Sequence, residues 1–169
     1  RMSPNDSATR CRELGVDVYF GDPRFVSSDT IDVNGTKLNF KRAVIATGAR
    51  ASAPPISGLE AVNYLTNETL FSLTELPRRF GIIGGGPIGC EMAQSFARFG
   101  SDVFLVESEP GILPREDRDA AEIVQASMKR DGVRLLCGSR NLRFRNEDGS
   151  RLSVESCGKT YDEAVDQIL

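Results

Sequence analysis

The sequence predicts an α/β fold: a Rossmann-type parallel sheet with a β-meander, preceded by a partial β-rich segment. Three observations carry this. Short apolar runs alternate with amphipathic helical patterns from F80-G-I-I83 to V133-R-L-L-C137. A glycine cluster, G84-G-G-P-I-G89, joins the first of those runs to the first helix. Three polar-apolar runs with turn signals follow, which suit an antiparallel meander rather than another helix.

In chain order, a Ser/Pro start and Gly15 bracket a short helix over Ser3 to Leu14, and Val16 to Phe20 reads as a strand. The pair T30-I-D-V33 and T36-K-L-N-F40 flanks Asn34-Gly35, a strong signal for a type I′ hairpin. The run A43-V-I-A-T-G48 reads as an apolar strand. Small residues and prolines then fill R50-A-S-A-P-P-I-S-G58, the composition of a connection. A helical turn or two is expected between Thr66 and Leu73. Beyond Pro77 come a strand at 80–83, a helix over Pro87 to Phe99, a strand at 103–106, a helix over Glu116 to Arg130 and a strand at 133–137. Runs near 142–145, 152–155 and 159–161, with the turn E147-D-G149, give the meander, and a last strand begins at Val165. The domain reading is therefore 1–57 for the β-rich segment, 58–76 for a connection and 77–169 for the parallel-sheet domain.

Composition removes several functions. The net charge of -3 over 169 residues argues against a nucleic-acid or anionic-membrane surface, which needs clustered Lys and Arg. No apolar run approaches the ~20 residues of a membrane span, so a cytoplasmic protein is expected. Histidine is absent, which excludes imidazole base or ligand chemistry within these residues. Cys11, Cys90, Cys137 and Cys157 form no CxxC or CxxxxC pair, so reduced thiols are expected and no metal site. The chain opens on Arg1 and its last apolar run stops at Leu169, which reads as a piece of a longer polypeptide without turnover of its own.

Gly84, Gly86 and Gly89 match G-x-G-x-x-G after a strand and before a helix, the context that gives this motif meaning. The first glycine permits the turn, the second lets a diphosphate approach the backbone, and the third lets helix and sheet pack closely. Pro87 suits a first helical position, where no donor is lost. Gly89, Met92, Ala93, Phe96 and Gly100 recur at helical spacing as the buried face, leaving Glu91, Ser95 and Arg98 elsewhere. Glu107 stands eighteen residues after Gly89, at the end of the second strand, where an acid can bond ribose hydroxyls. The plain alternative is a glycine-rich turn beside a solvated glutamate with no ligand. Agreement of strand, glycines, helix and acid favours dinucleotide binding by Gly84, Gly85, Gly86, Pro87, Ile88, Gly89 and Glu107. A nicotinamide nucleotide and the adenosine half of FAD satisfy the same pattern.

Glu107 also bears on which nicotinamide nucleotide. A carboxylate ~4 Å from a 2′-phosphate opposes it by about 4 kcal/mol per unit-charge pair at an effective dielectric of ~20, so NAD(H) is expected over NADP(H). Glu109 adds to that field, and Arg115 is the nearby cation that could offset it.

The order A43-V-I-A-T-G-A-R50, the Pro-Pro connection, L65-T-N-E-T69, L76-P-R-R79, G84-G-G-P-I-G-C-E91, V106-E107 and L113-P-R-E-D117 resembles the pyridine nucleotide-disulfide oxidoreductases. Within them it is most similar to the mercuric reductase and dihydrolipoamide dehydrogenase branch. The resemblance implies a flavoenzyme, a homodimer in its full form, in which NAD(P)H reduces FAD and the flavin reduces a cysteine pair. It implies that 1–57 belongs to the FAD domain, with Thr47 and Gly48 in an FAD-contacting motif, and that the glycine turn serves the nicotinamide nucleotide. It also implies a catalytic-side role for Glu91, paired with a lysine near the flavin; equally, Glu91 reads as an acid favoured by the helix dipole by ~0.3–1 kcal/mol. The N-terminal FAD fingerprint, the CxxxxC disulfide, the C-terminal dimer domain and a glycine-containing segment after the last strand do not occur in these residues. Mercuric reductases generally favour NADPH, whereas Glu107 points to NADH. Cys90, beside the fingerprint, is read as core. The competing functions are an NADH oxidase or flavin reductase without a disulfide, and a non-catalytic NAD(H)-binding redox-sensing module.

Overall fold

Hydrogen bonding and burial divide the chain differently from the apolar runs alone. A computed structural model describes residues 7–146 and 148–169; the first part of the expected Ser3 to Leu14 helix and Glu147 of the expected turn lie outside them. The chain separates into two compact units at Ala49/Arg50.

In the first unit, Ser7 caps helix α1 (Ala8–Glu13), its hydroxyl accepting the Arg10 N–H at 3.1 Å. Strands β1 (Pro23–Phe25), β2 (Thr30–Val33) and β3 (Thr36–Asn39) form an antiparallel sheet in that order. Asn34 and Gly35 both take positive φ, 51° and 88°, as the type I′ turn requires, and Asp32 accepts the Gly35 N–H at 2.9 Å. The strands expected over Val16 to Phe20 and Ala43 to Gly48 are not formed. An apolar run becomes a strand only where a neighbour takes its backbone bonds, and Val44 and Ile45 stand 90% and 73% exposed.

The second unit, from Arg50 to Leu169, is built on a four-stranded parallel sheet. Its strands are β4 (Arg79–Ile83), β5 (Asp102–Val106), β6 (Arg134–Leu136) and β10 (Gln167–Ile168), in the order β10-β4-β5-β6. Ile83 lies opposite Val106 and Val106 opposite Leu136, while Gln167 and Ile168 pair with Phe80 and Gly81. Helices α2 (Pro87–Phe99) and α3 (Arg118–Arg130) connect β4 to β5 and β5 to β6. The first helix has the expected bounds. The second starts two residues later than expected because Asp117 caps it, accepting the Asp119 N–H at 2.9 Å.

Strand alternation sends side chains to two different cores. Phe80, Ile82, Val103 and Leu105 pack with Cys90, Ala93 and Met128 on the helix side. Phe104 and Val106 pack with Phe144, Leu152 and Val154 on the other side. That second face is covered by a meander of β7 (Arg140–Asn146), β8 (Ser150–Ser156) and β9 (Lys159–Ala164). The unit thus has three layers, helices, parallel sheet and meander, with the sheet buried on both faces.

Residues 50–76, expected as the end of the first domain and a connection, pack with this unit. Leu59 and Val62 join the meander-side core, while Leu70 joins the helix-side core with Leu65 and Leu73 against it. Leu65 donates its N–H to Ile168 O at 2.7 Å, and Phe144 donates to Ser57 O at 2.8 Å. Helical turns form at Leu59–Ala61 and Leu70–Ser72, the second inside the expected segment.

After β6 at one edge, the chain crosses the meander and returns as β10 beside β4. Strand order therefore reverses between β4 and β10, and the crevice outside the carboxyl ends of the strands at such a reversal is where open α/β sheets bind ligands. The glycine turn sits at that end of β4. Gly89 lets α2 descend onto the sheet: a Cβ there would lie 2.0 Å from Gly84 O. Gly89→Ala is expected to lower stability by about 1–3 kcal/mol through overpacking, read as a reduced urea midpoint.

Candidate nucleotide-binding site

Gly84 leaves β4 with φ 104°, a conformation open to glycine, and its N–H still donates to Val106 O at 2.8 Å. Gly86 then caps α2 with Pro87 at the first helical position. Cys90 is the first residue of this turn whose N–H bonds back into it, reaching Gly86 O at 3.0 Å. The N–H groups of Gly86, Ile88 and Gly89 have no protein acceptor among the described residues. These are the orphan donors of a helix start, at the positive end of the dipole. A Cβ on Gly86 would meet nothing within 4 Å, so the turn presents open space to whatever approaches it.

Gly85 behaves differently from its neighbours. Its N–H donates to Glu107 Oε2 at 2.6 Å. Its carbonyl accepts the Leu113 N–H at 2.7 Å and the Cys90 thiol at 3.3 Å. The protein's own carboxylate therefore occupies the Gly85 N–H, and any contact of Gly85 with a ligand is made through its other atoms.

Glu107 is buried, 8% exposed, which removes the reading of a solvated glutamate. Its Oε1 accepts the Glu109 N–H at 2.9 Å and the Ser108 hydroxyl at 3.0 Å. Burial alone would push its pKa up, but bonds from the Glu109 and Gly85 N–H groups and from Ser108 outweigh it and hold the carboxyl below its ordinary range. The carboxylate is thus ionised, and with three of about four lone-pair positions filled it retains room on Oε2 for one further donor.

Two cavities flank the start of α2 and share Gly86 and Pro87. One, of about 380 Å³, opens over the carboxyl ends of β4 and β10, with Ile83, Leu169, Tyr64, Thr66 and Ile88 in its walls. The other, of about 410 Å³, is walled by Leu113, Pro114, Arg115 and Glu116. Arg118 donates to Ile112 O at 2.7 Å, whereas Arg115 is exposed and makes no ion pair or hydrogen bond among the described residues. Glu109 is exposed on the same loop.

Glu91 is exposed on α2, one turn beyond Ile88 and on its side of the helix. Thr47 and Gly48 lie in the other compact unit, both exposed, with Gly48 at φ 69°. Burial, with smaller contributions from Cys137 and Glu107, pushes the Cys90 thiol up to about 11. It is a neutral core group and not a nucleophile. Among the described residues no set of three His, Cys, Asp or Glu side chains gathers at metal-binding spacing, and no helix is long and apolar enough to cross a membrane.

The family model described as pyridine nucleotide-disulphide oxidoreductase matches residues 3–169. The chain belongs to this family. A mercuric reductase from Lysinibacillus sphaericus is 40% identical over 127 residues, covering 75% of this chain and 23% of the relative. A dihydrolipoyl dehydrogenase from Acholeplasma laidlawii is 38% identical over 136 residues, 78% of this chain and 40% of its own length. Among solved structures, the HOCl-induced flavoprotein disulfide reductase RclA from Escherichia coli superposes with a TM-score of 0.65 at 34% identity, covering 91% of this chain and 35% of RclA. The chain spans less than half the length of each of these pyridine nucleotide-disulphide oxidoreductases.

The Glu107 bonds to Gly85, Ser108 and Glu109 had no local sequence signal, nor did the Leu113 bond to Gly85. Gly85 is distant in sequence from both Glu107 and Leu113, the Glu109 N–H is a backbone group like any other, and a serine beside a glutamate is no signal by itself. Their energetic signature is pH-dependent. Because folding depresses the Glu107 pKa, its contribution to stability is present above the unfolded-state pKa and lost as pH falls through the folded one. Glu107→Gln is expected to lower stability by about 1–3 kcal/mol at pH 7, since an amide cannot accept at both positions. The gap from the unmodified protein closes on acidification, as urea midpoints measured across the acid range will register; a gap constant with pH contradicts the assignment.

Proposed function

We propose that this chain is the NAD(H)-binding portion, with part of the FAD domain, of an FAD-dependent pyridine nucleotide-disulfide oxidoreductase that passes hydride from the nicotinamide to FAD and on to a redox disulfide. The observation that carries this reading is the open glycine turn at the strand-order reversal, with unengaged N–H groups at Gly86, Ile88 and Gly89 and the ionised Glu107 beside it.

Those residues suit a dinucleotide. The diphosphate takes the three N–H groups and the helix dipole. Its two nucleoside arms extend into the cavities on either side of Gly86 and Pro87. The arm on the Glu107 and Leu113 side is the adenosine, because Oε2 can accept one ribose hydroxyl there. The nicotinamide arm then enters the cavity over β4 and β10, whose walls are largely apolar. Glu91, on the same side of α2 as Ile88, is placed to meet a cation near the nicotinamide; this role rests on the family. The flavin, when bound, supplies the two-electron acceptor for the nicotinamide hydride. Thr47 and Gly48 are assigned to flavin binding on family grounds alone.

NADH is the preferred nucleotide on this reading. Glu107 is held ionised and cannot swing aside without releasing Gly85, so a 2′-phosphate meets a fixed negative charge. Arg115 offsets part of that repulsion. Calorimetric titration is expected to give NADH at least about tenfold tighter binding than NADPH, or ~1.4 kcal/mol; equal or tighter NADPH binding rejects the preference. Gly86 has φ -74°, which valine accepts. Gly86→Val is therefore expected to leave the urea midpoint unchanged while weakening NADH by about tenfold or more. Unchanged NADH affinity in that variant removes the site.

A further inference from the structure

Three consecutive glycines give residues 84–86 more backbone freedom than any other stretch of this unit. An anion site needs N–H groups already aimed, because ordering them on binding costs affinity. What restrains this turn is the Gly85 peptide: Glu107 holds its N–H at 2.6 Å, and the Leu113 N–H and Cys90 thiol hold its carbonyl at 2.7 and 3.3 Å. Glu107 is itself fixed by Ser108 and by the Glu109 N–H. It closes over Gly85 so tightly that a Cβ there would meet Oε2 at 3.0 Å. The next N–H along the chain is that of Gly86, the first open donor of the cradle.

We propose that Glu107 is a positioning residue for the diphosphate cradle, acting through the Gly85 peptide, separately from any bond it makes to a sugar. This rests on the reading of the glycine turn as a pyridine-nucleotide site. The two roles, and simple charge repulsion, predict different outcomes for a ligand without ribose hydroxyls. A sugar contact alone makes Glu107 irrelevant to such a ligand. Repulsion alone makes its removal favourable, since a buried negative charge near a diphosphate opposes binding. Positioning makes its removal unfavourable.

The test titrates the 169-residue chain calorimetrically with ADP and with 2′,3′-dideoxy-ADP, comparing the unmodified protein with Glu107→Ala, Glu107→Asp and Gly86→Val. Positioning predicts that Glu107→Ala weakens 2′,3′-dideoxy-ADP by about fivefold or more, the loss expected for one charge-assisted hydrogen bond. Glu107→Asp keeps the charge but is one methylene short of Gly85, and weakens the dideoxy ligand similarly, so the test survives if the alanine variant fails to fold. Dideoxy-ADP affinity unchanged or raised in either folded variant, with ADP affinity reduced, overturns the proposal and leaves a sugar contact. ADP binding that is absent, or that persists in Gly86→Val, instead overturns the nucleotide site on which the proposal rests.

Discussion

The bond from the Gly85 N–H to the Glu107 carboxylate is the constraint on which the site depends. It joins the end of β5 to the turn leaving β4, across the seam where the two strands stop pairing. A carboxylate buried beside a flexible turn would be costly without donors; three of them keep it ionised and make it a fixed strut. The Leu113 N–H, reaching back to the Gly85 carbonyl, ties in the loop that carries Arg115. Turn, second-strand acid and following loop therefore form one hydrogen-bonded body rather than three independent pieces.

Around that body the layers serve placement. The helix-side core, with Phe80 against Phe96 at 4.7 Å between ring centroids and Ala93 fully buried, fixes the height of α2 above the sheet. Gln94 donates to Ser127 on α3 at 3.0 Å and to Asp131, which caps the end of α3, at 2.6 Å, setting the two helices against each other. On the far face, the meander lets the chain return from β6 to β10 without a helix, leaving the carboxyl end of β10 beside that of β4. The crevice is a consequence of that return. Residues 50–76 then line its rim through Tyr64 and Thr66, so a segment that reads as a connection contributes a wall.

Local sequence was sufficient wherever the structure-forming signal was itself local. Asn34-Gly35 encodes a turn with two positive φ angles, and Pro87 to Phe99 encodes a helix by its apolar spacing and first-turn proline. Gly89 encodes a close approach because no other residue leaves room for Gly84 O. Sequence was insufficient where pairing required a partner: Val16 to Phe20 and Ala43 to Gly48 carry strand composition, but none of their backbone is taken up in a sheet.

What the amino-acid order determined by itself is the class of fold, the place of the glycine turn and the acid eighteen residues beyond it, because periodicity and glycine conformation act over a few neighbours. Tertiary structure decided how those pieces divide their work. Only the parallel register of β4 with β5 brings Glu107 to Gly85, which makes the Gly85 N–H an internal tie and leaves those of Gly86, Ile88 and Gly89 open. That outcome depends on distances between strands, which no local pattern of residues contains.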